Sequence, residues 1–317
     1  MRIALVVPTV RASCLSSCLE AWSWRDKFDE LIVVEDAPEK TFDYDIKHHY
    51  SWNEIDIDLG KDAWIISRRD SSIRSYGFII ANRLNVDYIF TIDDDCYPIN
   101  KHEFIDLHIK NLTNTPKWVE SVPNQRTRGL PYFNKGVNKN VVMSVGLWKG
   151  IPDFDSIQTL SGENQQILLP ETRVLPSGQY SPICGMNLCI KKEFVAACYF
   201  PLQGESNLFR RFDDIWMGII AKKIADHLRL SITQGKPYIC HKRASDPMVN
   251  LVKEAPGIKF NETFWEIIDD IELSGNSPLE CMIQIGKSLL KVKDEYGYCE
   301  KLGYAIDIWC RLVTPNQ

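Results

Sequence analysis

Three consecutive carboxylates follow a short run of β-forming residues in the stretch at 88–98, YIFTIDDDCYP. The run at 88–92 is long enough for a buried strand and too short for a helix. So much negative charge at a strand end is favourable where a cation binds, and Mg²⁺ or Mn²⁺ takes one or two protein carboxylates together with phosphate oxygens. Asp93 and Asp95 are therefore candidate metal ligands. A solvated acidic turn or a helix cap would use the same residues, so this stretch alone leaves both interpretations open.

The composition is that of a globular protein directed at a small molecule. The chain has 317 residues, 44% of them hydrophobic and 25% charged, and a formal charge of -5. Since no dense Lys/Arg stripe is present, a nucleic-acid partner bound through phosphate neutralisation is not expected. The apolar run before Pro8 is too short for a signal peptide or a membrane span, and the ten cysteines are scattered without a CxxC pair. These features predict a cytoplasmic protein with reduced thiols and no membrane partner.

The first part of the chain has the pattern of a nucleotide-binding sheet. Residues 3–7 predict a first strand that Pro8 and Thr9 break, 13–24 a helix, and 31–34 a second strand ending near Asp36. In a doubly wound sheet, ligands bind outside the carboxyl ends of the strands. Pro8, Thr9 and Asp36 would therefore gather with the three aspartates around a nucleotide. The glycine fingerprint of a dinucleotide fold is missing, which argues against NAD.

Basic residues follow the next predicted element. Residues 64–67 predict a short strand, and Ser72 is placed to cap a helix that continues to Leu84. Arg74 would then lie in the first helical turn, where a positive charge opposes the helix dipole. An unfavourable position suggests a function, and both Arg69 and Arg74 are candidate ligands of a nucleotide phosphate.

The stretch WKGIPDFD, at residues 148–155, places an indole and two carboxylates in a turn. Trp148 could cover the apolar face of a sugar while Asp153 and Asp155 bind its hydroxyls. A tryptophan that packs over a loop would look the same in sequence. The preceding residues 118–136 are rich in Asn, Pro, Gly and basic residues, which predicts a loop.

Two further positions carry candidate chemistry. Asp213 and Asp214 open an amphipathic helix, where acids satisfy free N–H groups and the dipole, so Asp213 could cap the helix while Asp214 faces the cleft. A predicted final strand at 238–241 ends in His241. A lone histidine is more often a packed or hydrogen-bonded residue than a ligand.

The chain changes character near residue 255, after which only helical patterns remain. Asn261 is predicted to cap one helix, and a capping box with Pro278 at the first helical position predicts another after Ser277. We therefore expect a catalytic domain at 1–254 and a C-terminal helical extension at 255–317, which packs on the main domain or forms a homo-oligomer contact.

With these segments in view, the chain resembles the reversibly glycosylated polypeptides, also known as UDP-arabinopyranose mutases. The resemblance implies a GT-A-like α/β fold, in which helices flank a mixed, mainly parallel central sheet. It also implies a divalent metal at the aspartates, no flavin, and interconversion of pyranose and furanose forms of a nucleotide-diphospho-sugar. The matching stretches are VVPT at 6–9, the Asp-Ser-x-x-Arg run ending at Arg74, YIFTIDDDC at 88–96, RGLPY at 128–132, GLWKGIPDFD at 146–155, CGMNL at 184–188, RRFDDIW at 210–216 and PYICHKRASDPMVNL at 237–251.

The resemblance also implies residue roles. Arg128 corresponds to the family arginine that becomes reversibly glycosylated, whereas the second family arginine is Lys135 here. Because a guanidinium is protonated at physiological pH, a covalent Arg128 would need a carboxylate such as Asp214 to accept its proton. Asp95 and His241 would ligate metal, Asp93 would hold the ribose or a metal-bound water, and Asn187 of the CGMNL stretch would contact the sugar.

Two other functions fit the same residues. A GT-A glycosyltransferase would pass the sugar to an external acceptor, with Asp214 as its catalytic base. A non-enzymatic subunit that only binds a nucleotide sugar would have less need of Arg128. Uracil and guanine both offer an N–H to Asp36, so UDP- and GDP-linked sugars are both candidate substrates.

Overall fold

The computed structural model describes residues 1–42, 45–100, 102–120, 128–151, 153–162, 171–242 and 245–314. Within these ranges the chain forms a mixed sheet with helices on both faces. The predicted α/β architecture is therefore confirmed. The strands are β1 Ile3–Thr9, β2 Glu30–Glu35, β3 His48–Tyr50, β4 Tyr88–Ile92, β5 Cys96–Pro98, β6 Val141–Gly150, β7 Arg173–Val174, β8 Asn187–Lys191 and β9 Ser231–His241.

The sheet has the order β3-β2-β1-β4-β8-β6-β9-β5, and β7 pairs with β9 outside this path. Strands β3, β2, β1 and β4 run parallel, and β6 runs parallel to β9. Strand β8 is antiparallel to both β4 and β6, and so joins the two parallel parts into one sheet. The carboxyl ends of β1, β2 and β4 consequently meet at one edge, where an α/β sheet binds its ligand.

Helices cover both faces of the sheet. The side chains of β1 alternate, so that Ala4 and Val6 face one hydrophobic cluster while Leu5 and Val7 face the other. The α-helices are α1 Ala12–Trp22, α2 Trp52–Leu59, α3 Arg74–Arg83, α4 Phe104–Asn114, α5 Ser156–Leu160, α6 Asp213–His227, α7 Pro247–Asp269, α8 Pro278–Leu289 and α9 Tyr298–Val313. Short 3₁₀ segments cover Trp24–Asp26, Gly60–Ile65, Ser71–Ile73 and Lys192–Ala197.

Gly77 allows α3 to approach β1 closely. A Cβ atom at this position would lie 2.4 Å from Cγ1 of Val6 and 3.2 Å from Cγ2 of Val34. No side chain fits at that distance, so the glycine determines how closely the helix packs on the sheet. This packing places the N-terminus of α3, with Arg74, beside the strand ends.

Two predicted boundaries near the N-terminus were wrong. Strand β1 continues through Pro8 and Thr9, because its pairing with β4 ends at Val6 and the missing Pro8 N–H costs no ladder hydrogen bond on that side. Residues 64–67 were predicted as a strand. Instead, residues 64 and 65 end the 3₁₀ segment Gly60–Ile65, and residues 66 and 67 lie in neither a helix nor a strand. A short apolar run does not distinguish a strand from a buried turn.

The C-terminal helices were predicted correctly in type but not in all boundaries. Ser277 caps α8 by accepting a hydrogen bond from the Glu280 N–H at 3.2 Å, as predicted. The predicted cap at Asn261 was wrong, because α7 already begins at Pro247, where Asp246 accepts from the Met248 N–H. All ten cysteines are free thiols, and most are buried. None of the described helices is both long and apolar enough to cross a membrane.

The C-terminal helices share a hydrophobic core with the first part of the chain. Helices α8 and α9 belong to the cluster that also contains residues of α3 and α6. Trp309 of α9 is fully buried, stacks on Tyr199 at 5.2 Å between ring centroids, and donates its indole N–H to the Ala196 carbonyl at 2.9 Å. The domain boundary predicted after residue 254 falls within α7.

We predict that Trp309→Ala destabilises the whole chain. Removing a fully buried indole should lower the free energy of unfolding by about 3–5 kcal/mol, because the cavity and the lost contacts both contribute. Tyr304→Ala, at an exposed position of the same helix, is the matched control and should change it by less than about 0.5 kcal/mol. Urea unfolding followed by circular dichroism should show one transition. Two separate transitions, with only the smaller one affected, would contradict a shared core.

Candidate active site

A cavity of about 350 Å³ lies at the edge of the sheet where β1, β2 and β4 end. The segment before α3, the first turn of α6, the end of β9 and the first half of α7 complete its walls. The sequence-predicted site residues that line it are Pro8, Thr9, Asp36, Arg74, Asp93, Asp95, Asp153, Asp155, Asp213, Asp214 and His241.

Each aspartate of the triplet faces a nitrogen-bearing side chain from another element. Asp93 pairs with Nη2 of Arg74 at 2.5 Å, and Asp94 pairs with the guanidinium of Arg11. Asp95 faces Nε2 of His241 at 3.9 Å. Thr9 also donates its hydroxyl to Asp94 at 2.7 Å. The three carboxylates are therefore directed apart, and the cavity does not contain one undivided acidic cluster.

The geometry of His241 fits a metal ligand. Its Nδ1 lies 2.9 Å from the Ile151 carbonyl, which can only accept, so Nδ1 carries the proton and Nε2 is directed at Asp95. Adjacent ligands of an octahedral ion, each about 2.1 Å from it, lie about 3.0 Å apart, so the observed 3.9 Å requires the two side chains to approach each other by about 1 Å when an ion binds. In the described ranges no three His, Cys, Asp or Glu side chains converge on one point. Asp95 and His241 could thus hold an ion whose other ligands are water and phosphate.

Arg74 is almost entirely engaged within the protein. Its guanidinium is 1% exposed, and it donates to the Ser71 carbonyl, the Thr91 hydroxyl and the Gly185 carbonyl at 2.6–3.2 Å. With Asp93 as a fourth partner, one of its five N–H groups is left for a ligand. Gly185 is required here, since a Cβ would lie 3.0 Å from Nη1 of Arg74. Arg74 therefore holds Asp93 and the 185 turn in place as well as facing the cavity.

Asp36, at the end of β2, accepts three hydrogen bonds. Oδ1 accepts from the Trp52 indole at 2.8 Å and the Arg69 N–H at 2.9 Å, and Oδ2 accepts from the Asp70 N–H at 2.8 Å. Burial raises the pKa of Asp36, although these donors oppose the rise. One acceptor position on Oδ2 remains for a ligand, such as the N–H of a nucleobase.

Asp213 and Asp214 begin α6 and both face the cavity. Asp213 accepts from the Ser71 hydroxyl at 3.0 Å and not from a free helix N–H. Asp214 accepts from the Gly185 N–H at 2.8 Å and from the Ile215 N–H at 2.9 Å. Burial, and then the charge of Asp70, raises the pKa of Asp213 well above its usual range.

The pKa of Asp214 is raised to about 6, mainly by burial and next by the charge of Asp153. The Gly185 N–H and the charge of Arg74 limit the rise. A carboxyl group with this pKa exchanges protons readily near neutral pH. Asp214 is therefore the candidate acid–base residue of the cavity.

Several lining residues were not predicted from the sequence. Acidic side chains outnumber Arg and Lys by ten to four in the lining, with His241 in addition. The acids are Asp36, Asp70, Asp93, Asp94, Asp95, Asp153, Asp155, Asp213, Asp214 and Glu254, and the basic residues are Arg11, Arg74, Arg211 and Lys253. Arg11 could have been found because it directly follows the first strand. Arg211 lies in the RRFDDIW stretch just before the predicted Asp213, whereas Lys253 and Glu254 have no comparable signal.

Four predicted residues lie outside the cavity lining, and three of them have partners elsewhere in the fold. Asn187 is buried, donates to the carbonyls of Leu147 and Pro237 at 3.0 Å each, and contacts His108 through its side-chain oxygen. Trp148 is half-buried against the hydrophobic cluster beneath α1 and α4. Arg69 is exposed, pairs with Glu205 at 3.1 Å, and lies over the Trp52 ring.

Arg128 is exposed and does not line the cavity. It follows residues 121–127, which lie outside the described ranges, and precedes the exposed Tyr132 and Phe133. Lys135 in the same segment pairs with Glu120 at 3.2 Å.

Relatives match the chain over nearly its whole length. UDP-arabinopyranose mutase 1 of Arabidopsis thaliana is 34% identical over 344 residues, which cover 99% of this chain and 93% of the relative. The probable UDP-arabinopyranose mutase 1 of Pisum sativum is 35% identical, covering 96% of this chain and 88% of the relative. UDP-arabinopyranose mutase 1 of Oryza sativa subsp. japonica is 34% identical, with coverages of 87% and 79%.

Among solved structures, A197 from STIV aligns with 78% of this chain and 87% of its own, at 11% identity and a TM-score of 0.39. A likeness this weak indicates nothing about function. The profile described as "Reversibly glycosylated polypeptide", in contrast, matches residues 2–314 and so includes every wall of the cavity. Since that match and the relatives at about one-third identity both extend over the sheet and the C-terminal helices, the chain belongs to the reversibly glycosylated polypeptide family.

Proposed function

We propose that this protein is a nucleotide-sugar mutase that interconverts the pyranose and furanose forms of UDP-arabinose. The observation that carries the proposal is an acid-rich cavity at the carboxyl ends of β1, β2 and β4, in a chain whose relatives are named UDP-arabinopyranose mutases. The reaction needs the diphosphate to leave C1, the bond between C1 and the pyranose ring oxygen to break, a neighbouring hydroxyl to bond to C1 in its place, and the diphosphate to return. It requires no flavin. The family resemblance favours a GT-A-like mode of nucleotide binding. The free thiols, most of them buried, favour a cytoplasmic location.

The nucleotide would lie across the strand ends. Asp36 accepts an N–H of the base, Pro8 and Thr9 flank it, and Asp93 binds the ribose. Asp95 and His241 would hold a divalent cation, Mn²⁺ or Mg²⁺, which supplies positive charge to the diphosphate when bound. The lining has more acidic than basic residues, so the two phosphates of the nucleotide would be repelled unless a cation bound with them. This excess of acids supports the proposed divalent ion.

Asp214 would transfer the proton. The substrate and product are isomers, so a proton removed from the hydroxyl that closes the new ring must be returned to the oxygen released from the old one. A carboxyl group with a pKa of about 6 can accept and donate that proton at neutral pH. Asp153, whose charge acts on Asp214, and Asp155, whose Oδ1 caps α5 by accepting from the Gln158 N–H at 2.8 Å, both line the cavity and would bind sugar hydroxyls.

Product analysis without an acceptor tests the proposal. The purified protein is incubated with Mn²⁺ and a panel of UDP- and GDP-linked sugars, and chromatography separates pyranose from furanose forms. We expect a furanosyl nucleotide from UDP-arabinopyranose and little conversion of GDP-linked sugars. Slow hydrolysis without any furanosyl product would contradict the mutase assignment and favour a glycosyltransferase.

Asp214 should give the activity an acidic limb. Because the ionised carboxylate starts the proton transfer, kcat/KM should rise with pH through about 6 and then level off. Asp153→Asn removes a negative charge that raises the pKa of Asp214, so the limb should move to lower pH. Asp214→Asn should lower kcat by about 10²–10⁴-fold. Glu205→Gln, at an exposed position outside the cavity lining, is the control, and an unshifted limb in Asp153→Asn would refute the assignment.

A covalent role for Arg128 predicts a mass adduct. After incubation with UDP-arabinose, intact-protein mass spectrometry should show a pentosyl adduct that is absent from Arg128→Lys and Arg128→Ala. Both variants should lose at least about 100-fold in turnover, because neither side chain can replace a reacting guanidinium. Lys135→Ala in the same segment is the matched control. Turnover retained without any adduct would show that glycosylation of Arg128 is a side reaction.

A further inference from the structure

Arg11 connects the first strand to the aspartate triplet. It directly precedes α1, and its backbone N–H donates to the Thr9 hydroxyl at 3.2 Å. Its guanidinium pairs with Asp94 through Nη2 and through Nε at 3.4 Å, and Nη2 also lies 3.5 Å from Oδ2 of Asp95. One cationic group thus bridges two adjacent carboxylates.

Asp95 is shared between two groups. Arg11 faces its Oδ2 at 3.5 Å, while Nε2 of His241 faces its Oδ1 at 3.9 Å. Because Nδ1 of His241 carries its proton toward the Ile151 carbonyl, Nε2 is available as a lone-pair ligand. The position that suits an ion therefore adjoins the carboxylate that Arg11 neutralises.

The guanidinium of Arg11 is bonded to the described residues only through Nε and Nη2. Its Nη1 makes no hydrogen bond to the described residues, and about one-third of the side chain is exposed, 34%, against 1% for Arg74. Arg74 has four partners and is fixed, whereas Arg11 can turn about its long side chain. Arg11 thus has free donors beside the triplet, whereas Arg211, whose Nη groups also make no hydrogen bond to the described residues, pairs with Glu254 just before α6.

We propose that Arg11 neutralises Asp95 in the metal-free protein, releases it when a divalent ion binds, and then donates to the diphosphate of the nucleotide. This inference rests on the proposed function, since it assumes that the cavity takes both a divalent ion and a nucleoside diphosphate. Arg11 would then be a positioning residue for the ion and a binding residue for the substrate.

The consequence is a coupling between the two ligands. Metal binding without nucleotide places a second positive charge on Asp95 beside Arg11, and the repulsion between the two cations weakens metal binding. Nucleotide binding gives the released guanidinium a new anionic partner, so each ligand strengthens the other by the same factor. An arginine that merely orients Asp95 would have the opposite effect, because its removal would weaken metal binding in all conditions.

Titration of Mn²⁺ followed by electron paramagnetic resonance tests this, with and without saturating UDP. Arg11→Ala should lower the Kd for Mn²⁺ without UDP by at least about threefold, since a competing cation is removed. Its Kd for UDP in the presence of Mn²⁺ should rise by about tenfold or more, because a charge-assisted contact to phosphate is lost. The coupling factor between Mn²⁺ and UDP should therefore fall.

Three further variants make the outcome decisive. Arg11→Gln keeps a hydrogen-bond donor for Asp94 without the charge, and should change Mn²⁺ affinity in the same direction. Lys291→Ala removes an exposed cation outside the cavity lining, so it should leave the Kd for Mn²⁺ alone unchanged. Asp95→Asn should abolish Mn²⁺ binding. Unchanged or weaker Mn²⁺ binding in both Arg11 variants overturns the inference but not the proposed function, whereas a wild-type protein that binds neither Mn²⁺ nor UDP overturns both.

Discussion

The rest of the site depends on how the buried carboxylates at the end of β4 are neutralised. Burial raises the pKa of Asp94 and Asp95, which shows that their charged forms are disfavoured by desolvation. Arg11 opposes the rise at both residues and His241 opposes it at Asp95, while Arg74 pairs with Asp93. Because each of these three side chains comes from a different part of the fold, the triplet has its observed shape only when the whole sheet edge is assembled.

The topology brings those three side chains together from distant parts of the sequence. Gly77 lets α3 pack closely on β1, which brings Arg74 to Asp93. Strand β5 pairs Cys96 with His241 of β9, so the histidine returns beside the triplet about 145 residues later in the chain. Helix α7 then closes the cavity with Lys253 and Glu254. The C-terminal helices consequently contribute both to the core and to the site.

The sequence predicted the parts of the site that follow from local pattern. Strand ends are recognisable from β-forming runs, and acids placed there were predicted as lining residues, as at Asp36 and the triplet. The first turns of α3 and α6 were predicted from helix-start signals, a serine before α3 and two acids at the start of α6. Lys253 could not be predicted, because only tertiary packing brings the middle of a long helix over a sheet edge. Asn187 lies outside the lining because its amide satisfies buried carbonyls, a contact that no local pattern reveals.

The charge of the cavity also limits what can bind. With ten acids and four basic residues, an anionic ligand alone would meet net repulsion, and a cation alone would compete with Arg11 and Arg74 for their carboxylates. A cation and a diphosphate together satisfy both sets of charges. Asp214, with a pKa of about 6, lines the same cavity, so the ionisation of its carboxyl group should respond to the charge of a bound ligand. In the proposed reaction, nucleotide binding and proton transfer would therefore depend on the same set of charges.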